Sequence, residues 1–283
     1  MKYGISPISV VPVRSSAVVT SEICTQLLFG ELVEILGKKG RHWLNIRCQW
    51  DNTVGWIQAN QITPITPTEY QTYQENFAYS FDLMQPIIGN DHFMPITIGA
   101  HLPNFDGLQL HIGEQGFQFS GQAVYPKDIQ ARPEVVQKLA RKYLYAPYLH
   151  GGRSPFGIDS TGLVQVVYQM VGIRLGREAA QQVTEGVAVD FVDQAQRGDL
   201  AFFENRAGRI SHVGILLENN EVIHAYGRVR IDRLDHYGIF DEEQGKYTHK
   251  LRIIRRVLPA VPPEEKRPTI ITKASQQQAE LFS

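Results

Sequence analysis

Cysteine is scarce in this chain: Cys24 and Cys48 are the only two in 283 residues. Widely spaced and without clustered histidines, they make no zinc site and read as small buried hydrophobes. Uninterrupted apolar runs are missing too. No stretch approaches the roughly 20 apolar residues of a membrane span. The start, Met1-Lys2-Tyr3-Gly4-Ile5-Ser6-Pro7, lacks the apolar core of a secretory signal. Nor is either charge in excess, with 28 Lys and Arg against 29 Asp and Glu and a net charge of -1. That leaves no basic field of the kind nucleic acid or an anionic membrane would require, so neither partner is expected. A soluble, cytoplasmic protein is the expectation, unless a leader has been removed. What is present is ordinary: 43% apolar residues exclude disorder throughout, and the length allows two or three domains.

From Val10 to about Ile62, short apolar runs alternate with turn residues: Val10-Val11-Pro12-Val13, Glu31 to Leu36, Trp43 to Ile46 and Val54 to Ile57. Strands of this length separated by Gly30, Gly37, Gly40 and Asp51-Asn52 read as a small barrel or sandwich. Over 66–128 the pattern repeats more weakly, through His92 to Ile98, Leu108 to Ile112 and Phe117 to Phe119. Pro95 confines the first of these to a sheet edge or a break. A second β-domain and a large insertion fit this stretch equally.

The texture changes at Arg132-Pro133-Glu134. Pro133 suits a helix's first turn, and Val135, Val136, Leu139, Tyr143 and Leu144 follow at helical spacing. A second helical run from Gly162 to Met170 carries Leu163, Val166, Val167 and Met170 on one face. Strand-like segments follow at 199–203, 212–217, 221–225 and 250–254. Helices first and then antiparallel strands, turned by residues such as Glu218-Asn219-Asn220, give an α+β fold class. The expected division is 1–65, 66–128, 129–258 and a tail over 259–283 rich in Pro, Gln and charge, which reads as mobile or lying over the surface.

The chemistry concentrates in Tyr148-Leu149-His150-Gly151-Gly152-Arg153-Ser154 and Asp159-Ser160-Thr161-Gly162. A glycine-dense loop running into a helix puts residue 160 at the helix N-terminus, where unpaired N–H groups lower a thiol's pKa and stabilise an oxyanion. Further on, His212 opens His-Val-Gly-Ile, and His224 stands 12 positions later. Hairpin pairing of their strands would place both imidazoles on one face, one as base and the other orienting it. No third ligand at a recognisable spacing accompanies these two histidines, so no metal or other cofactor is expected. His42, His92 and His101 stand alone and read as surface residues.

These residues resemble the NlpC/p-sixty cysteine peptidases, whose Tyr-x-Trp-Gly-Gly and Asp-Cys-Ser-Gly motifs match positions 148–152 and 159–162 and whose catalytic histidine falls in a strand like that of His212. Ser21 to Glu31 similarly resembles the opening of bacterial SH3-like domains. Val229 to Asp235 resembles the subgroup cleaving γ-D-glutamyl–diamino acid bonds in peptidoglycan-derived peptides. The resemblance implies a papain-like catalytic domain behind one or two small SH3-like barrels, with the site in a cleft between the first and last domains. It implies a tri- or tetrapeptide substrate with a free N-terminal L-alanine and a role in recycling wall peptides. It also implies catalytic roles for His212, His224 and position 160. Substrate contacts are implied at Asp159, holding the ammonium group, and at Thr161, Glu31 and Tyr148. Arg153 and Ser154 either shape the loop or meet a substrate carboxylate.

The chain departs from that pattern at Ser160, where the family has its nucleophilic cysteine. A hydroxyl is far harder to ionise than a thiol near pKa 8.5, so turnover should be nearly abolished. Three accounts fit: an introduced change that traps substrate, a natural pseudoenzyme that only binds, and a working serine hydrolase. The retained histidines favour the first. The Gly-x-Ser-x-Gly elbow of serine hydrolases is not satisfied, because Gly157 lies three residues before Ser160. Smaller departures are His150 in place of tryptophan, and Gly176-Arg177-Glu178-Ala179-Ala180-Gln181 where Pro-Arg-Asp-Ser-x-Gln is usual.

Overall fold

Strict alternation shapes the first sheet. In Trp43–Cys48 every second side chain, Leu44, Ile46 and Cys48, is buried, as are Val11 and Val13 in Val10–Arg14. This period of two, apolar inward and polar outward, is that of a strand with one wet face. The computed structural model describes residues 2–259. Past Pro259, the tail expected over 259–283 lies outside the described residues. Contacts divide the chain into two units that meet in sequence at Ile129 and Gln130.

In the first unit seven antiparallel strands lie in the order Ile23–Leu28, Val10–Arg14, Val54–Gln58, Trp43–Cys48, Leu32–Lys39, Tyr3–Ile5 and Thr63–Ile65. Helix α1 (Pro67–Glu75) follows. Thr66 and Glu69 form a reciprocal capping box at its start, and proline takes the first position, where no N–H is needed. The helix carries little hydrophobic face, which is why the sequence pattern gave no sign of it. A sheet of Phe93–Thr97, Met84–Ile88, Gln115–Gln118 and Gln109–Ile112 comes next. Pro95 sits in its edge strand, where a missing N–H costs no ladder bond. Residues 66–128 do not build a core of their own: Ile87, Ile96, Leu110 and Phe117 pack in one cluster with Ile5, Phe29, Leu32 and Ile65. His101 corrects the surface expectation. It is buried, with its ring stacked on Phe77 at 4.3 Å, whereas His42 and His92 are exposed. Cys48 is buried, Cys24 only partly, and neither is in a disulfide.

The second unit opens with α2 (Pro133–Lys142), whose Val136, Leu139 and Ala140 are buried. Helix α3 (Ser160–Met170) packs against it and against two strands, Ile210–Leu216 and Glu221–Tyr226. Every residue of α3 is buried, the condition of an apolar helix enclosed on all sides. Beside it Lys246–Arg256, Leu200–Glu204, Ile210–Leu216, Glu221–Tyr226, Arg228–Leu234 and Gly238–Asp241 pair in turn, and the last pairs back to the first. The six antiparallel strands therefore close on themselves, with Val187–Val189 added outside Lys246–Arg256. Among the described residues no helix is long and apolar enough to cross a membrane.

Because α3 has no wet face, truncations along it should be costly. Leu163→Ala is expected to lower stability by about 2–5 kcal/mol, against within about 0.5 kcal/mol for the exposed Gln71→Ala. Urea unfolding followed by far-UV circular dichroism measures both; equal midpoints would contradict the burial of α3.

Candidate active site

Residue 160 is positioned by its neighbour. Asp159 is the N-cap of α3, its Oδ1 accepting the Gly162 N–H at 2.7 Å and the Thr161 hydroxyl at 3.0 Å. Its Oδ2 accepts the Gly151 N–H at 2.7 Å and Arg177 Nη2 at 2.8 Å. Burial alone would raise this carboxyl's pKa. The Arg177 charge and hydrogen bonds from Arg177, Gly162 and Gly151 outweigh it and hold the pKa below the usual range. Arg177 also donates to Thr161 Oγ1, and Gln182 Nε2 donates to the Thr161 carbonyl at 3.0 Å. Loop, helix start and the 176–182 segment thus converge on one carboxylate. The approach is close: a Cβ on Gly162 would lie 2.2 Å from the Gly152 carbonyl oxygen, so only glycine fits.

Both oxygens of Asp159 accept two hydrogen bonds, and Arg177 pairs with its charge. Asp159 and Thr161 build the helix start. Arg153 is likewise buried and donates to Gln169 Oε1 at 2.7 Å, while Ser154 Oγ accepts the Phe156 N–H at 3.3 Å. Of the two roles read for that pair, these contacts are those of loop shaping. Tyr148 remains exposed, its hydroxyl pKa pushed up by burial and then by the Asp159 charge. Glu31 belongs to the first unit, where it is buried and accepts the Leu28 N–H at 3.0 Å.

The strands bring the histidines together. Ile215 pairs with Ile223 and Leu216 with Val222, a register that sets His224 beside Gly214 and diagonal to His212. Gly214 is required there, since a Cβ would meet Val222 Cγ2 at 2.4 Å and His224 Cβ at 3.2 Å. His212 Nε2 lies 2.8 Å from His224 Nδ1, and His224 Nε2 lies 2.9 Å from Asp232 Oδ2. Val222 pairs with Asp232, placing the carboxylate on the same face, one strand further along the diagonal. Arg230 then donates to Asp232 Oδ1 at 2.7 Å and to Asp241 Oδ1 at 3.1 Å.

This order fixes every proton. Burial would raise the Asp232 pKa, but hydrogen bonds from His224 and Arg230 outweigh it, so the carboxylate is ionised and can only accept. His224 therefore carries its proton on Nε2 and presents a lone pair at Nδ1. His212 must donate from Nε2, which leaves the lone pair of its Nδ1, a nitrogen without a hydrogen bond among the described residues. Burial first, then the neighbouring imidazoles, lowers the His212 pKa well below its usual value; burial also lowers that of His224 against the pull of Asp232. His212 is a neutral base with one open nitrogen. Ser160 Oγ, by contrast, makes no hydrogen bond among the described residues.

A third imidazole, His249, stacks on His212 with centroids 4.1 Å apart, and burial depresses its pKa to about 4. One ring nitrogen from each of His212, His224 and His249 lies within 4.8 Å of the other two. This overturns the expectation that no third imidazole accompanies the pair. Sequence reading missed His249 because the candidate strand was started at Lys250, whereas the strand begins at Lys246. Asp232 lay in a recognised segment without a role. Pairing 221–226 with 228–234 as a hairpin would have put it on the His224 face.

Two family models match the chain: the NlpC/P60 family over residues 145–247 and the bacterial dipeptidyl-peptidase SH3 domain over 13–62. Residues 145–247 thus form an NlpC/P60 domain, papain-like in fold, behind an all-β SH3-like domain. Dipeptidyl-peptidase 6 of Lysinibacillus sphaericus is 29% identical over 76% of this chain and 85% of its own length. A γ-D-glutamyl-L-lysine dipeptidyl-peptidase of Bacillus subtilis is 27% identical over 72% of each chain. The crystal structure of an NlpC/P60 family protein from Bacillus cereus superposes with a TM-score of 0.78 at 20% identity, covering 91% of this chain and all of that one, a likeness of fold.

The three depressed histidines predict the response to acid. An unfolded histidine binds its proton near pH 6.5. The folded ones resist until lower pH, so the unfolded chain holds more protons in that window and stability falls. Stability should be full above about pH 6.5 and decline toward pH 4, with the depressed carboxylates Asp159 and Asp232 adding their loss below that. Thermal melts across this range measure it. A flat profile, or one no shallower in His249→Gln, would refute the assignment.

Proposed function

We propose that this chain is a γ-D-glutamyl–diamino acid endopeptidase of peptidoglycan-derived stem peptides that carries serine in the nucleophile position. The observation that carries this reading is the ordered chain Asp232–His224–His212, which ends on an open Nδ1. Names of relatives across most of the chain, dipeptidyl-peptidase 6 and γ-D-glutamyl-L-lysine dipeptidyl-peptidase, support the bond class.

In the reading, His212 Nδ1 takes the proton of the nucleophile at position 160 as it attacks the γ-carbonyl of D-glutamate, and then returns it to the leaving amine. His224 and Asp232 stabilise the imidazolium formed in between and keep its proton on the right nitrogen. The N–H groups at the start of α3 face the developing oxyanion. A thiol supplies the anion this neutral base needs; a hydroxyl near its ordinary acidity does not. The unmatched Gly-x-Ser-x-Gly elbow weighs against an activated serine. Substrate binding without turnover is the state we assign to the Ser160 chain, and a natural pseudoenzyme is the alternative form of the same state.

Assay of L-Ala-γ-D-Glu-L-Lys cleavage tests this. Ser160→Cys should gain at least roughly 10³-fold in kcat over the parent chain. In the cysteine form, His212→Ala should remove turnover and Asp232→Asn should lower kcat roughly 10²–10⁴-fold, with KM little changed. Activity of equal size in both Ser160 and Cys forms would overturn the nucleophile assignment. Tight tripeptide binding by calorimetry with no activity in either form would identify a binding protein.

A further inference from the structure

His249 takes no part in the relay, yet it stands against both of the relay's histidines. Ring centroids are 5.0 Å apart for His212 and His224, 4.1 Å for His212 and His249, and 5.6 Å for His224 and His249. An ion bonded to an imidazole nitrogen at about 2.1 Å lies roughly 3.2 Å from the ring centre, so imidazoles sharing it have centroids about 4.5 Å apart at right angles and about 5.2 Å apart in a tetrahedron. The three observed separations bracket those values. His212 and His224 approach with Nε2 and Nδ1 2.8 Å apart, against about 3.4 Å for two ligands of one tetrahedral ion, so entry of an ion opens that contact by roughly 0.6 Å. The stacked rings of His212 and His249 splay at the same time.

The surroundings suit ligation. Asp232 already holds His224 Nε2, the carboxylate–histidine arrangement that orients a metal ligand and makes it more basic. The Thr248 hydroxyl accounts for His249 Nδ1 at 2.9 Å, which leaves Nε2 for an ion. Three imidazoles without a thiolate select borderline divalent ions over calcium or magnesium.

We infer that His212, His224 and His249 form a divalent transition-metal site, taking Zn²⁺ or Co²⁺ through His212 Nε2, His224 Nδ1 and His249 Nε2, and that the bound ion switches off the base. The switch, which rests on the proposed role of His212, is a tautomer change. In the relay the His212 proton is on Nε2; a metal on Nε2 leaves that proton to Nδ1. No net proton is released, and the nitrogen that accepted a proton now carries one.

The test uses the chain as it stands, with Ser160, so that no introduced thiol competes for the ion. Co²⁺ titration followed by ligand-field absorption, and Zn²⁺ calorimetry, should show one ion per chain with Kd of about 1 μM or tighter. Asp232→Asn should weaken it about 10–100-fold, and His249→Ala and the closer-shaped His249→Asn by at least that much. The exposed His92→Ala should leave it unchanged. Nitrogen NMR of labelled histidine should show the His212 proton moving from Nε2 to Nδ1 as Zn²⁺ is added. No binding to the parent chain, equal binding in cooperatively melting His249→Asn, or a proton that stays on Nε2 would each overturn the inference. Because the readouts are ion binding and tautomer, a chain that never cleaves peptide leaves the site standing. A chain that cleaves peptide but binds no ion removes only this inference.

Discussion

A single buried carboxylate decides where residue 160 is. Asp159 joins two backbone N–H groups, one hydroxyl and one guanidinium that come from three stretches of sequence. The side chains of Asp159 and Arg177 are only 8% and 3% exposed, so each depends on the other's charge. Removing one partner of such a pair leaves an uncompensated ion in the interior and typically costs about 3–5 kcal/mol. Replacing both by apolar groups would spare that penalty. It would also release the Gly151 N–H and the Arg177 segment from the start of α3, and the specificity of that junction depends on the polar solution.

The same unit keeps its charges away from its base. Burial keeps His212 and His224 neutral, while the formal charges of Asp232, Arg230 and Asp241 sit on the next two strands. Arg230 divides its donors among three carboxylates, those of Asp232, Asp241 and Glu243, and Asp232 remains an acceptor without gathering a proton of its own. The result is direction: hydrogen bonds run from His212 toward Asp232, and basicity emerges at the far nitrogen. A base built this way matches a partner that ionises readily, and serine is a poor one.

Much of this was legible in the residues. Proline and the 3.6-residue period located α2, the Gly-rich loop marked the start of α3, and the hairpin pairing of His212 and His224 followed from their spacing. The α+β class and the β-rich N-terminal half were equally readable. Other features depend on contacts that no local pattern encodes. Arg177 sits 18 residues from Asp159, and nothing in its neighbourhood signals a buried partner. His101 looks like any isolated histidine until Phe77 is folded against it. His249 lies on the last strand of the chain, and only the pairing of that strand with Leu200–Glu204, which also pairs with the His212 strand, brings it to His212. Helix α1 is set by its capping box, a signal that does not depend on hydrophobic period.

The turn at Glu218-Asn219-Asn220 constrains the chain's history. Asn219 and Asn220 both adopt left-handed backbone, with φ of 57° and 59°, and so set the pairing of the two histidine strands. Side chains in a sheet alternate faces, so one residue gained or lost in that turn, if the slip passes into the second strand, carries His224 to the opposite side. The interval between the two imidazoles is thus constrained by parity: exchange of the turn's residues leaves both rings on one face, whereas an odd change in their number does not. Insertions and deletions accumulate most easily in surface loops, yet this exposed turn is restricted in length by a proton path three strands wide.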